Sequence, residues 1–433
     1  MRIPGLLLIA LLLAIPIPWF VALAREHDPV AIFSQFLGSE ALIVMAVAQV
    51  LATRMRGLEA LFGGLDRIYI LHKWLGVAAM ALILAHDTID AELDRVLVDG
   101  FWTEVGETLG EISLYGLLML VTLTVATFVP YHFWRWTHRF IGGFFAFGAL
   151  HFLLIDRPFE LATAPGAYVS AFCVIGVAAY VAAFLRNTRL AGAALYEVAA
   201  AERRGDLIKL VMRPKGRAIR ARPGQFAFFK FADGLGEPHP FTLSRAPNES
   251  GEIACLVKRL GDFTEKLYEQ ASPGMTVAVT DGFGAFLQHG RGDRNIWIAA
   301  GVGVTPFAAE IAATPKDATM PRPTTFFYCV ADDAPHVEAF EARAASDPNF
   351  EFHLIKSSDR GRLSAAEVAA AADGDLSGAH VWFCGPDAMR RELSQSLKDF
   401  GLRSRRFHYE AFEIRSGIGL RRLAAWALDR ALR

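Results

Sequence analysis

The chain has 433 residues, 53% of them apolar, with a net charge of −1, and its apolar residues crowd into the first 187 positions. It is too long for one ordinary domain, and its balanced charge offers nucleic acid no electrostatic footprint. Four cysteines, Cys173, Cys255, Cys329 and Cys384, stand far apart with no CxxC pair, which excludes an iron–sulfur or zinc site of the usual spacing and with it an attached ferredoxin domain.

Six apolar runs, at about 3–24, 35–53, 68–89, 112–130, 134–155 and 166–185, each approach the roughly 20 residues that a membrane span needs. Residues 1–187 therefore read as an all-α six-helix membrane bundle. The first run is read as a retained span; Ala22 and Ala24 keep a cleaved signal peptide open as the alternative. Basic residues set the expected orientation. Arg54, Arg56 and Arg67 follow span two, Arg135 and Arg139 sit at the start of span five, and Arg186 and Arg189 follow span six, so these segments are expected inside. The connection after span three holds Asp87, Asp90, Glu92, Asp94, Asp99, Glu104 and Glu107 against one Arg95, and is expected outside. Trp102, Trp134 and Trp136 read as interfacial anchors, and His132 as a residue of the interface.

Span three carries His72 and His86, fourteen residues apart; span five carries His138 and His151, thirteen apart. Each interval covers roughly 20 Å of helix. Ionisable groups within a membrane are costly and mark function, and two matched pairs can clamp two haems stacked across the bilayer. With spans three and five both running outward, His72 is expected to pair with His138 at the inner face and His86 with His151 at the outer. Fourteen residues return to within roughly 40° of the starting face, whereas thirteen miss by roughly 140°. Span five must therefore be tilted or distorted, or the two haem planes rotated against each other.

Beyond the bundle, LAGAALYEVAAAERRG, about 190–205, reads as a linker or short connecting helix. LIKLVM, QFAFFKF, IACLVK and TVAV are short strands that suggest a small β-barrel over 195–288, interrupted by the helix DFTEKLYEQA. Strands and helices then alternate from IWIAAG to RRFHYEAF, a doubly wound α/β domain over 293–415. Residues 416–433 form an amphipathic tail with Arg421, Arg422, Arg430 and Arg433, suited to an anionic membrane surface or to a solvated terminal helix.

Three stretches carry chemistry. His239-Pro240-Phe241-Thr242-Leu243-Ser244 places hydroxyl and backbone donors on a strand, where they can hold the edge of a flavin ring. Lys258-Arg259-Leu260-Gly261-Asp262-Phe263-Thr264 opens a helix with a glycine, whose N–H groups and Lys258 can take a pyrophosphate; an ordinary turn is the alternative. Gly301-Val302-Gly303-Val304-Thr305-Pro306 lies between a strand and a helix and lets a dinucleotide phosphate approach the backbone, with proline where the usual fingerprint has its third glycine.

Together these residues resemble the ferric reductase and NADPH oxidase family of transmembrane flavocytochromes, over about 35–415. The resemblance implies a ferredoxin-reductase-like flavin barrel and two b-type haems on His72, His86, His138 and His151. It implies FAD on His239–Ser244 and on Lys258, Gly261, Phe263 and Thr264, and NADPH or NADH on Gly301–Pro306. It places Cys384, Gly385 and Pro386 beside the nicotinamide and Phe412 against the flavin. The implied activity is an electron relay from NAD(P)H through FAD and two haems to an acceptor across a membrane, by expectation the bacterial inner membrane with the dehydrogenase domains cytoplasmic. Oxygen, giving superoxide, is the first expected acceptor; a ferric chelate or a periplasmic partner protein are the alternatives. A transporter with an attached flavoprotein and no haem is a rival of another class. The chain departs from the family pattern in three places. The loop Asp281–Phe286 has no proline. Asp332 and Asp333 stand where a cation would take a 2′-phosphate and favour NADH, although Arg360 and Arg362 could serve that phosphate. Asp90 replaces a histidine frequent in superoxide-forming members.

Overall fold

The computed structural model describes residues 2–55, 57–89, 100–126, 129, 131–190, 192–232, 235, 238–284, 286, 293–331 and 334–410. Asp90 with most of the acidic connection, Asp332, Asp333, Phe412 and the tail 416–433 lie outside the described residues. The chain divides into two units, one ending at Arg189 and the other spanning Leu190–Ala411.

The first unit is helical: α1 Ile3–Ala14, α2 Ile17–Leu23, α3 Pro29–Ala52, α4 Leu58–Phe62, α5 Leu65–Thr88, α6 Phe101–Val125, α7 Tyr131–His138, α8 Ile141–Leu154 and α9 Ala164–Arg189. Among the described residues, five helical segments are long and apolar enough to cross a membrane: Ile3–Leu23, Pro29–Ala52, Leu65–Thr88, Phe101–Val125 and Ala164–Arg186. The remaining expected span is broken, because α7 ends at His138 and α8 begins at Ile141. That break falls between the two histidines whose spacing a straight helix could not accommodate.

Two other spans begin earlier than the apolar pattern suggests. Asp28 accepts from the Val30 N–H at 3.0 Å and Pro29 fills the first turn, so α3 starts there. α6 starts at Phe101, with Glu104 in its first turn, where the helix dipole favours an acid. The first span is interrupted at Pro16, between α1 and α2. The Leu12 carbonyl has no N–H four residues on, since that residue is Pro16, and the Tyr168 hydroxyl of α9 donates to it at 2.8 Å.

The second unit opens with a closed antiparallel barrel in the order β1-β2-β5-β4-β3-β6, formed by β1 Ala194–Arg204, β2 Leu207–Pro214, β3 Phe226–Phe231, β4 His239–Arg245, β5 Ile253–Lys258 and β6 Thr276–Val279, with helix α10 Asp262–Gln270 before the last strand. The segment expected as linker or helix is strand β1. Its alanines and glutamates favour a helix locally, but it pairs with β2 on one side and β6 on the other and so closes the barrel; tertiary pairing overrides a weak propensity. Tyr196 of β1 is fully buried. Its hydroxyl accepts from the Ile219 N–H at 3.0 Å and donates to the Gly251 carbonyl at 3.1 Å. Tyr196→Phe strands both groups and is expected to cost about 1–3 kcal/mol, read as a fall in the melting temperature of the purified protein.

A parallel sheet in the order β11-β10-β7-β8-β9 follows: β7 Arg294–Ala300, β8 Thr324–Val330, β9 Phe350–Lys356, β10 Ala379–Cys384 and β11 Phe407–Tyr409. Helices α11 Thr305–Ala313, α12 Val337–Ser346, α13 Ser357–Arg360, α14 Ala365–Ala370 and α15 Asp387–Ser396 connect them. Two apolar cores form: one around Trp297, Phe307, Phe326 and Phe340, the other around Ile298, Phe383, Leu393 and Phe407. Strands covered on both faces explain the unbroken apolar runs TTFFYCV and VWFC.

Candidate functional site

The four membrane histidines are half-buried, and each has its Nδ1 engaged. His72 Nδ1 donates to the Ala48 carbonyl at 2.9 Å, His86 Nδ1 to the Ser34 carbonyl at 2.9 Å, and His151 Nδ1 to the Gly106 carbonyl at 2.9 Å. His138 Nδ1 lies 3.2 Å from Thr124 Oγ1. The threonine proton is already spent on the Leu120 carbonyl at 2.8 Å, so Thr124 accepts from His138. A neutral imidazole with its proton on Nδ1 presents the lone pair on Nε2, the tautomer of an orienting shell around a metal ligand. α3 supplies both acceptors for the α5 histidines, and α6 both for the α8 side.

The same residues fit a haem. His72 and His138 meet with ring centroids 6.1 Å apart; two imidazoles on one iron, each at about 2 Å, need about 6 Å. Gly76, one turn beyond His72, has open space where a side chain would stand. Around the other two histidines glycine is required for close packing. A Cβ on Gly38 would come within 3.2 Å of the His86 ring, and one on Gly110 within 2.6 Å of His151 Nδ1. Trp134, expected as an interfacial anchor, packs on His138 with centroids 5.2 Å apart.

In the barrel, β4 carries His239–Arg245 and α10 begins at Asp262. The two flavin stretches meet where the Phe263 ring stacks on His239 with centroids 3.5 Å apart. Phe241 lies alongside, 6.4 Å from Phe263. Thr264 Oγ1 accepts from the N–H groups of Leu260 and Gly261 at 2.9 and 3.0 Å and holds the turn open as a helix start. Lys258 is paired with Asp206 at 3.2 Å, so a pyrophosphate would have to draw it away. Leu243 and Ser244 are buried, and Ser244 Oγ has no hydrogen-bond partner among the described residues. A buried hydroxyl without a partner in a flavin-sized motif fits a ring heteroatom. Ser244→Ala is expected to leave the fold intact and weaken flavin retention by about 1–3 kcal/mol, measured by flavin release on dilution.

The sheet order reverses between β7 and β10, and ligands of open α/β sheets bind outside the carboxyl ends of strands at such a point. Gly301–Pro306 follows β7 and Cys384-Gly385-Pro386 ends β10. Gly301 has φ +55°, and a Cβ on Gly303 would lie 2.2 Å from the Cys384 carbonyl oxygen. The Cys384 thiol is buried and pushed up, first by burial and then by the neighbouring Glu410 carboxylate. Glu410 was not singled out from the sequence. It follows β11 and packs against Gly284, whose added Cβ would come within 2.7 Å of its Oε1. Arg360, offered for a 2′-phosphate, is paired with Glu367 at 3.0 Å.

Residues 37–149 match the family model of the ferric reductase like transmembrane component, and residues 190–293 match that of an FAD-binding domain. The flavohemoprotein of Chromobacterium violaceum is 28% identical over 223 residues, 46% of this chain and 54% of that protein. The vanillate O-demethylase oxidoreductase of a Pseudomonas species is 27% identical over 154 residues, 34% of this chain and 45% of its own. The chain thus spans about half the length of these curated relatives. Among solved structures, the FAD/NAD-binding domain of nitric oxide dioxygenase from Vibrio cholerae aligns with 51% of this chain and 99% of its own at 21% identity and a TM-score of 0.44. With a ferric-reductase-like membrane half joined to an FAD-binding half, the chain belongs to the ferric reductase and NADPH oxidase family of transmembrane flavocytochromes.

Proposed function

We propose that this transmembrane oxidoreductase carries electrons from cytoplasmic NAD(P)H to an acceptor on the outer face of the bacterial inner membrane, through FAD and two b-type haems. The observation that supports this reading is the set of four histidines, each with an acceptor at Nδ1, an arrangement that would leave Nε2 for iron. A bound flavin would supply hydride acceptance and single-electron release, and haem iron held by these histidines would supply one-electron transfer with no open site for oxygen. The protein's part is to bind and orient. Gly301–Pro306 seats the nucleotide, and Cys384, Gly385 and Pro386 line the nicotinamide. His239–Ser244 hold the flavin ring, with Phe412 as its stacking partner. Lys258, Gly261, Phe263 and Thr264 hold its pyrophosphate. His72 pairs with His138, and His86 with His151.

We assign oxygen as the acceptor, with superoxide as product. Reduction of a probe by membranes supplied with NADH or NADPH is expected to be largely sensitive to superoxide dismutase. Insensitive reduction that requires a ferric chelate would reassign the chain as a ferric reductase. Haem reduction with no turnover on either would point to a periplasmic partner protein.

A further inference from the structure

One charged-type side chain of the bundle takes no part in that relay. Glu40 lies midway along α3 and is only 5% exposed. Its Oε1 has no hydrogen-bond partner among the described residues, and no cation pairs with it there. A carboxyl at such a depth without a cation is costly to ionise, and buried acids in membranes mark ion or proton sites.

Its surroundings are those of a proton site. Phe20 and Phe36 pack edge to face, 5.4 Å between centroids. Four residues further along each of these antiparallel helices stand Pro16 and Glu40, so the carboxyl is level with the break in the first span. Pro16 and Pro18 release the carbonyls of Leu12 and Ala14 from their helical partners. Tyr168 takes the first of these. A carboxyl opposite freed carbonyls at a helix break is the arrangement that coordinates protons or small cations inside membranes. Of the helices packed on this side, α1 and α2 bring no titratable group, and α9 brings Tyr168, whose hydroxyl is spent on the Leu12 carbonyl, and the buried Cys173. α5 and α8 bring histidines, and of these His86 lies on the opposite face of α3, where Gly38 touches its ring.

We propose that Glu40 is an exchangeable proton site tied to the redox state of the His86–His151 pair, an inference that rests on the haem reading above. Glu40 and Gly38 are two residues apart and therefore about one helix width, roughly 10 Å, from each other's outward groups. At that distance and an effective dielectric constant of about 20, one unit of charge changes proton affinity by about tenfold or more. A ferric site adds positive charge and favours the carboxylate. The electron that makes it ferrous, supplied through the flavin, removes that charge, and one proton from the aqueous phase forms the Glu40 O–H bond. Oxidation reverses both.

The test is a potentiometric titration of the haems in full-length protein in lipid nanodiscs, between about pH 6 and 8. In the wild type one haem potential is expected to fall with pH, by up to 59 mV per unit, the one-electron value for a tenfold change. In Glu40→Gln that slope is expected to vanish while both haems remain. An equal slope in Glu40→Gln, a flat wild type, or a potential that follows sodium instead of pH would overturn the proposal. If Glu40→Gln does not fold, the wild type alone decides. Its infrared difference spectrum on reduction must gain a protonated-carboxyl band that shifts in D2O, and absence of that band overturns the proposal. Purified protein that binds no haem would overturn the haem reading itself, and this inference with it.

Discussion

Replacing His72 by leucine is expected to halve the haem content, from two per chain to one, and to abolish NAD(P)H-driven reduction of any acceptor across the membrane. His72 and His138 stand at the centroid distance of two imidazoles on one iron, and leucine offers no lone pair. Loss of a ligand's orienting partner alone costs 10–100-fold in metal affinity; loss of the ligand should exceed that, so activity is expected to fall by more than about 100-fold. Flavin reduction by NAD(P)H should survive, because it happens upstream. Thr124→Val is the graded control. It removes only the acceptor of the His138 Nδ1 proton and is expected to weaken haem retention by about 10–100-fold without changing stoichiometry at saturating haem. Pyridine haemochrome quantitation against protein reads both, and two haems per chain in His72→Leu would remove that residue from the ligand set.

The second large effect is expected at Gly303. A methyl group there would lie 2.2 Å from the Cys384 carbonyl oxygen and 2.6 Å from its carbonyl carbon. Both are backbone atoms of β10, so no side-chain rotation relieves the overlap, and the loop after β7 must move away from Cys384. A displacement of about 1 Å at a reacting centre can cost about 100-fold in rate. Gly303→Ala is expected to slow flavin bleaching by NAD(P)H in stopped flow by about that factor, with flavin content unchanged. Electron flow from dithionite-reduced flavin to acceptor should be near normal. An unaltered bleaching rate would show that this loop does not seat the nicotinamide.

What was legible in the sequence is what has a period or a charge. The spans, the alternation of strands and helices in the nucleotide domain, and the four histidines all carry such signals. The spacing of thirteen allowed a tilted or distorted helix or rotated haem planes, and the helix is interrupted between His138 and Ile141. Strand β1 was not legible, since its composition favours a helix and only pairing with β2 and β6 makes it a strand. Nor were the partners of the histidines, because the Ala48, Ser34 and Gly106 acceptors are main-chain carbonyls that any residue could supply. Glu410 was missed for a related reason: a single acid after a short strand says nothing until Gly284 and Cys384 are found beside it.

The division of labour between helix pairs bears on how the protein is assembled. α3 and α6 carry none of the four proposed ligands, yet they meet the Nδ1 of each of them, His72, His86, His138 and His151. Ligands that must first lose a proton make metal uptake acid-sensitive and release acid into solution. On the haem reading proposed above, an imidazole that already keeps its one proton on Nδ1 would take iron on Nε2 without releasing a proton. Haem loading of the folded protein would then depend little on the acidity of the compartment in which it takes place.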